Sequence, residues 1–113
     1  MQFITLNEKE YPIKFTYSAL MELERKQKKS FNEIAAALGT GNMTLLIEIA
    51  HAGLRTGGRI HNKNFTMKLE ELGDILTPES LMEITELFGE SFAPKVVQTE
   101  EEIAAQENKE IKN

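Results

Sequence analysis

Hydrophobic residues recur at two different periods in this chain, and the change from one to the other comes once, at Thr16. Before it, Phe3, Ile4 and Leu6 form one β-prone run, and Tyr11, Ile13 and Phe15 alternate with Pro12 and Lys14 in another. The polar segment Asn7-Glu8-Lys9-Glu10 between them has the length of a hairpin loop. Pro12 has no N–H to give to a ladder, so the second strand is expected at an edge or with that position turned to solvent. A lone hairpin is marginal in water, so it must pack on the helical remainder of the chain or pair with another chain.

After Thr16 the spacing is helical. Tyr17, Leu20, Met21 and Glu24 mark one side of a first helix, with Leu23 beside it, and Thr16 is its N-cap. It is expected to run to about Lys28, with Arg25, Lys26, Lys28 and Lys29 at the negative end of the helix dipole. Ser30-Phe31-Asn32-Glu33 reads as a capping box. The short second helix turns Ile34, Ala35 and Leu38 inward and ends on a left-handed Gly39. Asn42 caps a third helix, from Met43 to about Leu54, that is apolar nearly all round and is therefore expected at the centre of the core or under another subunit. Thr56-Gly57-Gly58-Arg59 is expected to break it. Thr66 caps a fourth helix with Met67, Leu69, Leu72, Ile75 and Leu76, and Thr77-Pro78 opens a fifth with Leu81, Ile84, Leu87, Phe88 and Phe92, stopped by Ala93-Pro94. The fold class is thus α+β, mainly α: an N-terminal two-stranded hairpin, then about five helices. Residues 1–94 read as one domain, and 95–113, with five Glu and three Lys, as a mobile or conditionally helical acidic tail.

The chemistry this chain can carry is narrow. It has 113 residues and no Cys, which excludes thiolate metal sites, disulfides and a Cys nucleophile. His51 and His61 lack the one-turn spacing of a metalloprotease pair; His51 reads as a partly buried residue near the end of the third helix and His61 as a loop residue. No Ser neighbours a His, and Glu70-Glu71 and Glu22/Glu24 lie on amphipathic helices without a pocket to raise a pKa. Gly57-Gly58 follows a helix rather than a strand, so it fails as a phosphate cradle. The expectation is a non-enzyme with no cofactor and no metal. No secretory signal and no membrane-length apolar run are found, and the formal charge of −5 argues against non-specific nucleic-acid binding. Residues 31–47 resemble a helix-turn-helix in spacing, but Met43-Thr44-Leu45-Leu46-Ile47-Glu48-Ile49 offers apolar groups where a recognition helix shows basic and amide side chains.

The order of these segments resembles the tail assembly chaperones of long-tailed bacteriophages and prophages, especially of Gram-positive hosts. The resemblance covers roughly residues 3–92. It is carried by the hairpin Ile4–Phe15, by Ala19-Leu20-Met21-Glu22-Leu23-Glu24, by Ile49-Ala50-His51-Ala52-Gly53-Leu54-Arg55, by Leu69-Glu70-Glu71-Leu72-Gly73-Asp74-Ile75-Leu76 and by the helix opened by Thr77-Pro78. The resemblance implies a binding protein that keeps the tape measure protein soluble and recruits tail tube subunits in the host cytoplasm, and that is absent from the mature virion. It also places the acidic tail where a frameshifted longer product would diverge. Such a role calls for exposed apolar surface, and Met43, Met67 and Met82 either supply it or fill the core. The expected partner-contact residues are Met43, Leu46, Ile47, Leu54, Phe88 and Phe92, with Arg55, Arg59 and the basic run at Arg25–Lys29 pairing with an acidic client. The unpaired hairpin edge and the apolar third helix both predict a homo-oligomer. Two other readings are a small helix-turn-helix-like DNA-binding regulator and a structural tail or head-completion subunit.

Overall fold

The computed structural model describes residues 2–92; the expected stop at Ala93-Pro94 and the acidic tail lie outside them. Strands β1 (Gln2–Leu6) and β2 (Lys9–Ile13) form an antiparallel hairpin. Helices α1 (Tyr17–Gln27), α2 (Phe31–Gly39), α3 (Met43–Ile60), α4 (Leu69–Ile75) and α5 (Pro78–Phe92) come after it. The α+β, mainly α class is as expected.

The hairpin turn is tighter than the polar run suggests. Asn7 and Glu8 take φ values of 52° and 69°, a two-residue turn of the mirror-image type that matches strand twist, and Lys9 and Glu10 join β2. Leu6 therefore pairs with Lys9, Ile4 with Tyr11 and Phe3 with Pro12. Counting from the hydrogen-bonded closing pair, Pro12 falls at a position whose backbone groups point away from β1, so its missing N–H costs the ladder nothing. Pro12 does sit on an edge strand, but it is buried under α3 rather than turned to solvent.

That contact explains the largest departure from expectation. α3 does not stop at Leu54: it continues through Thr56, Gly57 and Gly58 to Ile60. The glycines are there for packing. A Cβ on Gly57 would lie 2.4 Å from the Pro12 carbonyl oxygen and 2.6 Å from Ile13 backbone atoms. One turn earlier, a Cβ on Gly53 would meet the Phe15 ring at 2.5 Å, and the Gly53 carbonyl accepts the Lys14 N–H at 3.0 Å. The backbone of β2 thus lies directly on α3, which a side chain at Gly57 would prevent. Gly in a helix interior costs roughly 0.5–1 kcal/mol, and the close seating of the hairpin offsets it.

Local capping signals place the other helices. Thr16 accepts from the Ala19 N–H, Ser30 and Glu33 form the full capping box, Asn42 accepts from the Leu45 N–H, and Thr77 from that of Ser80. α4 starts at Leu69 rather than after Thr66, because the Glu71 carboxylate takes the Lys68 N–H. Gly39 is the last helical residue of α2, and the left-handed glycine is Gly41, with φ 77°. α1 buries Ala19, Leu20 and Leu23, leaving Tyr17 and Met21 exposed, and α2 buries Ile34 with Ala35 exposed and Leu38 half-buried.

The core is one cluster around α3. Ile4, Leu6, Ile13 and Phe15 from the hairpin meet Leu20 and Leu23, Ile34, Leu45, Ile49 and Leu54, Leu72, and Ile84 and Phe88. α3 touches every other element except β1 in force, so its all-round apolar surface is consumed by the fold over most of its length.

Candidate binding groove

The exception is the first turn and a half of α3. Met43, Leu46 and Ile47, spaced to share one face, form one wall of an open groove of about 600 Å³. Leu81, Met82, Thr85 and Glu86 of α5 line the other, and Gly73, Leu76, Thr77 and Pro78 at the α4–α5 junction lie between them. Met43 and Met82 are 54% and 63% exposed. A second depression of about 320 Å³ shares Ile47 and Gly73 and adds Thr44, Glu48, Leu69, Glu70 and Asp74. Gly73 joins the two: a Cβ there would have Ile47 Cδ1, at 3.6 Å, as its near neighbour, and no bulkier group fills the space.

This groove gathers Met43, Leu46 and Ile47 as expected partner-contact residues and adds Leu76, Leu81, Met82 and Gly73, which the sequence did not single out as a site. Met82 carried a signal, because it is large, apolar and off the Leu81–Ile84–Phe88 stripe of its helix. Met67, by contrast, is half-buried against the core.

The remaining expected contact residues are elsewhere, and two are not surface at all. Leu54 is 0% exposed and Phe88 3%; both are core, because α3 runs on past Leu54 and α5 packs its Ile84/Phe88 face inward. Phe92 is half-buried in an aromatic cluster with Tyr17, Phe31 and Phe88 at ring distances of 5.2–5.9 Å. Arg55 is bound to Glu22 of α1, whose carboxyl is held below its ordinary value by that hydrogen bond, with Arg55, Lys26 and Arg25 adding favourable charge and burial opposing. Lys26 pairs with Glu48 at 3.2 Å. Arg59 is exposed in the last turn of α3, away from the groove.

A second cleft of about 610 Å³ lies between the hairpin turn and the loop before α4. Its lining mixes Asn7, Lys9, Asn64 and Lys68 with Tyr11, Phe65 and Met67. Beside it His51, in mid-α3 rather than near its end, bonds through Nε2 to the Met67 carbonyl at 2.8 Å and packs edge-on to Phe65. That contact holds the loop to α3, which is a structural use of the imidazole. His61, exposed, comes after α3 as its C-cap and stacks edge-on to Phe3. Among the described residues, no group of three His, Cys, Asp or Glu side chains is placed to hold a metal, and no helix is long and apolar enough to cross a membrane.

Compared with known protein families, with curated proteins and with solved structures, the chain matches none.

Proposed function

We propose that this protein is a non-enzymatic assembly chaperone that holds a partner through the α3–α5 groove. The observation that carries the reading is the placement of two exposed Met side chains on facing walls of an open apolar groove. An open apolar groove between two helices suits the docking of a partner's apolar side chains, and Met adapts to varied partners because its side chain repacks easily. The order of the segments, resembling phage tail assembly chaperones, supports the tape measure protein as client and the tail tube protein as second partner. It also supports self-association, residence in the host cytoplasm and absence from the virion. A DNA-binding role is less well supported: α3, the helix in the recognition position, is the central beam of the core.

Co-expression tests the proposal. A long coiled-coil tape measure product encoded beside this protein is expected to be soluble with the wild-type chain and to precipitate without it or with Met82→Glu. Equal solubility in all three cultures would overturn the reading. Recovery of the chain from purified virions would favour a structural subunit instead.

A further inference from the structure

The groove has a charge as well as a shape. From Leu69 to Phe92 the chain carries seven acidic residues and no Lys or Arg. Glu70, Asp74 and Glu86 line the groove and its extension, and no Lys or Arg lines either. Of the lining carboxylates only Glu48 has an ion-pair partner among the described residues. The ten Lys and Arg of residues 2–68 lie earlier in the chain, and the groove-lining α4 and α5 have none.

We propose that the occupant is an amphipathic helix of the partner with one apolar stripe flanked by Lys or Arg. The inference rests on the reading of the groove as the partner site. Two facing walls, Met43 with Leu46 and Ile47 one turn on in α3, and Pro78 with Leu81 and Met82 one turn on in α5, fit the side chains of a third helix at i, i+3 or i+4, and i+7. Gly73 leaves room for that helix to approach the α4 backbone. The acidic rim then meets the basic flank, which sets orientation and speeds encounter. An acidic helix would be repelled. Residues 95–113, with five Glu against three Lys, do not have the basic composition that this rim calls for. An acidic client, suggested by Arg55 and Arg59, does not fit this site.

Two synthetic peptides test the proposal. Both are about four helical turns long with the same Leu stripe, one flanked by Lys and one by Glu. Each is titrated against the full chain by fluorescence anisotropy. The Lys peptide is expected to bind about tenfold or more tighter than the Glu peptide at low salt, from a few rim charge pairs, with the gap closing as salt is added. Gly73→Phe is expected to weaken the Lys peptide by more than about tenfold without changing the circular dichroism, while Gly73→Ala, whose Cβ has ordinary contact distance, is expected to leave binding intact. Asp74→Lys with Glu86→Lys is expected to reverse the preference. Equal binding of the two peptides, or binding of the Lys peptide untouched by Gly73→Phe, overturns the inference. So does sedimentation showing a self-associated wild type that Gly73→Phe dissolves, because the groove would then hold a second copy. If neither peptide binds while the co-expressed client stays soluble, the helix inference falls and the chaperone reading stands.

Discussion

Gly57 is the residue on which α3 and the hairpin depend most directly. Its missing Cβ would stand 2.4 Å from the Pro12 oxygen, where backbone rather than a movable side chain is the obstacle. Gly57→Ala is therefore expected to destabilise the protein by about 1–3 kcal/mol, as overpacking against a fixed partner does. Gly89→Ala, in α5 with open space around it, is expected to be neutral or to stabilise by up to about 1 kcal/mol. Denaturant midpoints of the two variants check both. The Glu22–Arg55 pair makes the opposite case, of a visible contact that matters little. Its side chains are 40% and 45% exposed, and exposed pairs contribute about 0.2–1 kcal/mol. Because the folded-state pKa of Glu22 lies below the ordinary 4.5, its stabilisation is complete above that value and is lost as pH falls through the depressed one. Arg55→Ala is expected to return the Glu22 titration, followed by NMR, toward 4.5, with little change in stability at neutral pH.

At the scale of elements, what the sequence revealed depended on how local the cause was. The caps at Thr16, Ser30, Asn42 and Thr77 are satisfied within three residues, so the letters alone located those helix starts. The end of α3 was not legible, because Gly57 and Gly58 are helix breakers by propensity, whereas Gly57 is needed in the helix by its close approach to the distant backbone of Pro12 and Ile13. The α4–α5 half of the groove was hidden for a similar reason: whether Met82 fills a core or faces solvent depends on where α3 lies. The turn between β1 and β2 shows the converse, a strained residue in a local motif. Glu8 holds φ 69° with a side chain that disfavours it. Glu8→Gly would complete the Asn-Gly pair that this turn prefers, and is expected to stabilise by about 1 kcal/mol. A melting temperature raised by roughly 4–8 °C is the expected readout for a domain of this size.

The whole molecule divides its apolar residues between two tasks, and α3 serves both. Leu45, Ile49 and Leu54 face the cluster that joins hairpin and helices, whereas Met43, Leu46 and Ile47 face the groove. A chain this small has little core to spare, so leaving Met43 and Met82 exposed forgoes burial that would have stabilised it. Stability and partner binding should then be separable by mutation. Leu54→Ala, deleting a fully buried side chain, is expected to cost about 2–5 kcal/mol. Because that is a large share of a small domain's stability, the variant should lose client solubilisation together with its fold. Met82→Glu changes a side chain already 63% exposed and is expected to shift stability by less than about 0.5 kcal/mol. Yet it places a carboxylate in the apolar groove and should abolish client solubilisation with the melting curve unchanged. Thermal melts run beside the co-expression assay distinguish the two outcomes: if Met82→Glu melts like the wild type and still solubilises the client, the groove is not where the partner is held.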